Sequence, residues 1–407
     1  MNQNLPSLRG PHVFSIVVLA FAALLVWWGA AVTTKDVGLA VPDWPLSRGK
    51  VNPKGWMGQE AMLLEHGHRL IASFVGTLTA FLFFWIWMKF SSSKLKTFGE
   101  FALLLVVLAT IVFGVAKGYA FETANSQAAA GNVGLTEGNP VPGFILAAIG
   151  GAGCFAWLCF GWTKRGWALP LRLSALALIV VEIQAVLGGL RVTEMSDAFG
   201  VIHGCLGQAF FCLLLLVTLV TSARWESGRA VLSKKVRRLL RGWALFFFGA
   251  VFTQLAIGAT MRHNHRIGLA ADDIVTTGGS FLPDFGNFDL VILFSHKVGA
   301  VVVFLVTMAF TAFALRFLSQ APGIRRAVLA AAGIVNFQVC LGISVLATGK
   351  SFWVTNFHVL TGLTLLAVSI LVLAKSCAAA AHGPMLADDS RSAADGTRSK
   401  TPAIQNV

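Results

Sequence analysis

Glu65-His66-Gly67-His68-Arg69 opens a long apolar run, Leu70 to Phe90. Ionisable residues of three types stand where a hydrophobic helix begins. On a helix Glu65 and His68 are three residues apart and share a face. His66 lies two residues from His68, about 200° around, and points elsewhere. A carboxylate beside a histidine at a membrane edge suits a proton site, a metal ligand with its partner, or a plain interfacial cap. The motif alone does not choose among these, so the rest of the chain has to.

The surrounding composition sets the fold class. The chain has 407 residues, is 56% hydrophobic and only 12% charged, and has a mean hydropathy of +0.74. Soluble domains carry about 25% charged residues. Runs of about 20 apolar residues recur, which is the helical spanning signal. These features predict an all-α integral membrane protein with ten spans, at about 13–34, 68–90, 100–117, 143–162, 169–190, 201–223, 243–262, 290–315, 326–348 and 357–376. The first run is too long for a signal peptide and lacks a small-residue cleavage site, and Trp27-Trp28 reads as an interfacial anchor. The net charge of +14 sits in short loops between spans, which argues against a nucleic-acid partner. The six cysteines, Cys154, Cys159, Cys205, Cys212, Cys340 and Cys377, fall in or at the ends of apolar runs with no CxxC spacing. They read as small packing residues. After Cys377 the tail is Ala, Ser, Asp and Gly, and an unstructured segment over 377–407 is expected.

Loop charges orient the spans. With the N-terminus inside, the inner loops and tail carry 21 Lys and Arg against nine outside, with Arg69 and Lys297 left out at helix starts. This predicts both termini in the cytoplasm. His68, His203, His296 and His358 then all fall at the outer ends of helices that run inward. Four histidines at one depth on alternate helices are hard to explain as core filler.

An internal repeat accounts for their placement. His68 follows Gly29 by 39 residues, and His296 follows Gly258 by 38. Gln184-Ala-Val-Leu-Gly188 precedes His203, with 15 residues from Gly188; Gln338-Val-Cys-Leu-Gly342 precedes His358, with 16 from Gly342. Gly207 and Gly362 each lie four residues after a histidine, where a missing side chain lets a flat ligand approach. The chain therefore reads as two pseudo-symmetric four-helix bundles in tandem, an N-terminal half over 13–223 and a C-terminal half over 243–376. The distance from His68 to Gln184 is 116 residues, whereas that from His296 to Gln338 is 42. The excess fits two inserted helices over about 97–167, joined by an outer loop at about 118–142.

Facing imidazoles with no acidic cluster nearby suit heme iron. A closed zinc site needs more ligands at shorter spacing. A proton path or transporter and purely structural histidines remain open on spacing alone. Arg69 and Lys297 each follow a candidate ligand and suit heme propionates, or else snorkel to the interface. Arg191 and Arg262 are weaker candidates of the same kind. His263 and His265 are expected in a solvated outer loop with Arg262 and Arg266. His12 and His382 are expected to be inert at the termini.

Gly38-Leu-Ala-Val-Pro-Asp-Trp-Pro45, Glu65-His-Gly-His-Arg69 and Val201-Ile-His-Gly-Cys-Leu-Gly-Gln208 together resemble the heme A synthase family of bacteria and mitochondria. Gln184 to Arg191 and Asn356 to Gly362 fit as well, so the resemblance runs from about 14 to 376 apart from the inserted pair. It implies an oxidoreductase that converts heme o to heme a by oxidising the porphyrin C8 methyl to a formyl group, through an alcohol and a hydrated aldehyde. It implies His68 and His203 as ligands of the substrate heme o, His296 and His358 as ligands of a heme b cofactor, and Glu65 as the catalytic carboxylate. A bacterial inner membrane location, a heme o synthase upstream and a terminal oxidase downstream follow from the same resemblance. Two departures stand out. Family members typically have eight helices rather than ten. Many bacterial members carry a cysteine pair in the first outer loop, and residues 35–64 here contain no cysteine. Two other functions stay compatible with paired histidines: a quinone-linked two-heme electron-transfer protein, and a heme transporter or chaperone. The electron-transfer protein should not need Glu65 on the histidine face.

Overall fold

The structure is a computed structural model and describes residues 6–41, 44, 47–48, 50–129, 141–264 and 273–381. Among these, ten helices are long and apolar enough to cross a membrane. They are α1 (Arg9–Thr34), α2 (Glu60–Phe90), α3 (Lys94–Ala129), α4 (Val141–Thr163), α5 (Leu169–Thr193), α6 (Asp197–Thr221), α7 (Lys234–His263), α8 (Phe288–Phe317), α9 (Pro322–Ala347) and α10 (Phe352–Ala378). The chain is an all-α, multi-pass membrane protein. Each helix is longer than its apolar run, because polar flanks continue the backbone ladder. Helix α2 begins at Glu60, nearly three turns before the apolar run. Helix α7 begins at Lys234, where the Ser233 hydroxyl accepts from the Val236 amide. The Asn287 side chain caps α8 in the same way. Prolines open α5 and α9, where a missing amide hydrogen costs nothing.

Helices α1, α2, α5 and α6 pack as one ring, each against two neighbours, and α7, α8, α9 and α10 pack as a second. The rings meet through α1, α6, α7 and α10. In the first, Val18, Leu82, Phe83, Ile86, Leu178 and Leu214 form a dry core. Leu240, Phe247, Phe310, Val328 and Leu366 do so in the second. At the histidine end, Met62 of the first ring and Leu293 of the second are buried as well.

The inserted helices α3 and α4 pack mainly on each other and on α5. Their contact is a glycine crossing: a Cβ on Gly143 would lie 2.6 Å from the Gly114 carbonyl oxygen, and one on Gly114 would lie 2.7 Å from that of Gly143. Small residues at such a crossing let two membrane helices approach through their backbones. Trp157 of α4 and Trp167 close against Phe83 and Trp87 of α2. The expected loop at 118–142 is corrected here, since α3 runs on to Ala129. Residues 119–129 contain neither Gly nor Pro and are rich in Ala, so nothing breaks the helix. Residues 130–140 lie outside the described residues.

At the end opposite the histidines, Val231–Leu232 (β1) pairs in parallel with Ala380–Ala381 (β2). The expected unstructured tail is thus ordered as far as Ala381, and the rest of it lies outside the described residues. His12 is not idle either. Its Nδ1 lies 3.0 Å from the Thr218 carbonyl oxygen and ties α1 to α6.

Candidate functional site

The four histidines occupy matching depths. His68 and His296 each lie eight residues into their helices, after Glu60 and Phe288. His203 and His358 each lie six residues in, after Asp197 and Phe352. Each ring rests in a notch left by a glycine on the preceding helix of its bundle. A Cβ on Gly29 would lie 3.0 Å from His68 Nε2; on Gly188, 3.2 Å from His203 Cε1; on Gly258, 2.9 Å from His296 Cε1; and on Gly342, 3.2 Å from His358 Cε1. The glycines of the sequence repeat are therefore seats for the histidines.

His68 and His203 face each other with ring centroids 6.4 Å apart and planes at 67°. Two metal–imidazole bonds of about 2 Å, with the reach from each nitrogen to its ring centre, span about 6 Å. A separation of that order would let both imidazoles reach one iron. His296 and His358 are likewise electrostatic neighbours in the second ring. Nδ1 of His203 and of His358 is buried without a partner, which leaves each a ring nitrogen for a ligand. Among the described residues no group of three or more His, Cys, Asp or Glu is placed to hold a metal ion.

One turn before His68 sits a polar network. Glu65 is buried, at 4% exposure. Its Oε1 accepts from Arg69 Nη2 at 2.6 Å, and its Oε2 accepts from the Val41 amide at 2.8 Å. The same Arg69 nitrogen donates to the Val41 carbonyl at 2.9 Å. His66, expected to point away from His68, is buried under the first connecting loop, at 3% exposure. Its Nδ1 lies 2.9 Å from the Ser47 hydroxyl and its ring meets Trp56 edge-on. Arg69 Nη1 also reaches Ser47, at 3.4 Å. The loop is thereby clamped over the carboxylate.

The second ring repeats the scaffold without this chemistry. A short bridge joins Ser47 to Lys50 in the first loop, and another joins Thr277 to Ser280 in its counterpart. Lys297 stands where Arg69 does and donates to the carbonyls of Asp273 and Thr276, at 2.7 and 2.5 Å. Leu293, buried at the site equivalent to Glu65, and Phe294, equivalent to His66, replace the ionisable pair.

Several expectations are corrected by this geometry. Gly207 and Gly362 do not clear a path for a flat ligand; a Cβ there would meet Gln184 Nε2 at 2.9 Å and Gln338 Nε2 at 3.2 Å. His263 is the last residue of α7 rather than a solvated loop residue. Its ring crosses between the bundles, and Cβ atoms on Gly200 and Gly204 of α6 would lie 2.9 and 3.3 Å from its nitrogens. His265, Arg266 and His382 lie outside the described residues. Of the propionate candidates, Arg69 and Lys297 are engaged with loop carbonyls. Arg262 Nη2 donates to the Ala30 carbonyl and the Thr34 hydroxyl, both at 2.5 Å. Arg191 and Arg262 line one cleft between the rings with Asp36, Asp197 and His263. Ser47, Val41 and Gln254 were not legible as site residues by type. Gln254 had a usable signal, because it precedes Gly258 by four residues as Gln184 and Gln338 precede Gly188 and Gly342.

Fold and site together define a multi-pass membrane protein that pairs histidines at one depth in two related bundles. The model of the cytochrome oxidase assembly protein family, COX15-CtaA, matches residues 144–370, more than half of the chain. The chain belongs to this family. His203, His296 and His358 fall within the matched residues, and Glu65 and His68 precede them. The heme A synthase of Caulobacter vibrioides is 29% identical over 177 residues, which cover 40% of this chain and 49% of that protein. The chain thus spans about half the length of the curated relative it matches.

Proposed function

We propose that the protein is a heme A synthase, an oxidoreductase that converts the C8 methyl of heme o to the formyl group of heme a. Family membership and the name of the Caulobacter relative support this class of reaction. The observation that carries it is the asymmetry between the rings. A buried carboxylate sits one turn before a ligand-grade histidine in the first ring, and a leucine takes its place in the second. An electron-transfer protein or a heme carrier has no need of that difference.

His68 and His203 hold the substrate heme o by its iron. His296 and His358 hold a heme b, which when bound supplies an electron relay. Glu65 is the catalytic group. Its carboxylate accepts a proton or stabilises positive charge as the methyl carbon is oxidised. Arg69 and Val41 fix its two oxygens, and the clamped loop keeps water from the reacting edge. Arg69, Lys297, Arg191 and Arg262 supply the positive charge for propionates near the histidine end. The loop charges support an outward-facing histidine end with both termini in the cytoplasm, and the resemblance to bacterial members of the family supports an inner-membrane location. A heme o synthase upstream and a terminal oxidase downstream complete the pathway.

The test is co-expression with a heme o synthase in a host that makes no heme a, followed by porphyrin extraction. The formyl or hydroxymethyl porphyrin is expected. Recovery of heme o alone, from cells with well-folded protein, would contradict the reading.

A further inference from the structure

Three of the four histidines are seated by a reciprocal latch. In each, a glutamine and a glycine four residues apart on one helix face a histidine and a glycine on the next. The histidine ring rests on the first glycine, and the glutamine amide rests on the second. Gln184 meets Gly207, Gln338 meets Gly362, and Gln254 presses on Gly299. Gln184 Nε2 donates to the His203 carbonyl at 2.9 Å, and Gln254 Nε2 donates to the His296 carbonyl at 2.8 Å. In the second ring the amides also touch the imidazoles: Gln254 Nε2 lies 3.2 Å from His296 Nδ1, and Gln338 Nε2 lies 3.3 Å from His358 Nε2. The amide oxygens of all three glutamines are buried and unpartnered. A metal-bound imidazole needs an acceptor for its other N–H, and a half-turn of the carboxamide offers one.

His68 has only half of this device. Gly29 seats its ring, but Leu25 stands where the glutamine belongs, and Ala72 and Ile71 stand where the second glycine belongs. Among the described residues His68 makes no hydrogen bond through its side chain.

We propose that Gln184, Gln254 and Gln338 are positioning residues for His203, His296 and His358, and that the absent latch makes His68 the releasable ligand through which porphyrin enters and leaves. The proposal rests on the reading that the histidines hold heme. It gives a physical reason for one ring to exchange its porphyrin while the other retains it: both histidines of the second ring are latched, but only one of the first.

The experiment uses the purified full chain loaded with hemin and measures transfer to excess apomyoglobin, beside the low-spin heme spectrum. A fast and a slow phase are expected, abolished by His203→Ala and His358→Ala respectively. Gln254→Leu and Gln338→Leu should each speed the slow phase by roughly 10–100-fold, the usual cost of losing a partner behind a metal ligand, and should shift the low-spin spectrum. Leu25→Gln combined with Ala72→Gly should slow the fast phase. That gain of retention cannot arise from misfolding. Unchanged release in both glutamine variants and in the double variant would overturn the latch alone. Wild-type protein that takes up no hemin would overturn the latch and the heme reading together.

Discussion

Glu65 combines a structural tie with a chemical opportunity. Its ion pair with Arg69 joins residues four apart on α2, and the Val41 amide brings the loop onto the same carboxylate. Removing one partner of a buried pair is costly, whereas a neutral isostere keeps the volume and most of the contacts. Glu65→Gln is therefore expected to fold and keep its heme b band, while making at least about 100-fold less heme a per molecule, the scale of a lost acid–base group. Porphyrin extraction and the absorbance spectrum read the two quantities separately. If Glu65 only orders the helix start, protein level or heme content should fall instead, and activity per folded molecule should hold. Gly342 makes a second residue-scale prediction. Valine there would push into the His358 ring and cost about 1–3 kcal/mol in strain, with selective loss of the second-ring heme signal. An intact signal would mean that the seat does not position the ligand. The histidines and their glycines were legible in sequence because the repeat places them at fixed intervals, and Glu65 because it stands three residues before His68 at the head of an apolar run. Ser47 and Val41 were not, because a loop's contact with a helix face leaves no periodic trace.

At the scale of the element, the lengths of the apolar runs found all ten helices but not their ends. Membrane helices here extend past the apolar run on polar residues that still favour the helix, as at Glu60 and Lys234. Helix α3 carries this furthest, reaching Ala129. The inserted pair is held to itself by the Gly114–Gly143 crossing and only lightly to the first ring. Gly143→Leu is expected to part α3 from α4, lowering the thermal stability of the purified protein by an amount equivalent to about 1–3 kcal/mol, and to leave histidine-bound heme in place. Loss of the first-ring heme in that variant would show that the inserted pair supports the site rather than flanking it.

At the scale of the molecule, the two rings share one scaffold and differ in the residues around their histidines. Both rings keep the histidines, the seating glycines, a loop bridge and a cation after the first histidine. Only the first keeps an acid and a second histidine beneath its loop, and only the second sets a glutamine against both of its histidines. The loop charges predict that the histidine end lies outside. A cysteine introduced at Asn132, in a variant whose six native cysteines are replaced, should therefore react with an impermeant maleimide on intact cells; reaction only after permeabilisation would reverse the orientation. The division of labour between the rings is tested most directly by comparing His203→Ala with His358→Ala after co-expression with a heme o synthase, scoring the resident low-spin heme b and the extracted porphyrin in each. The account predicts that His358→Ala loses the heme b signal, whereas His203→Ala keeps it and yields little heme a. Identical spectra in the two variants, both matching the wild type, would contradict it.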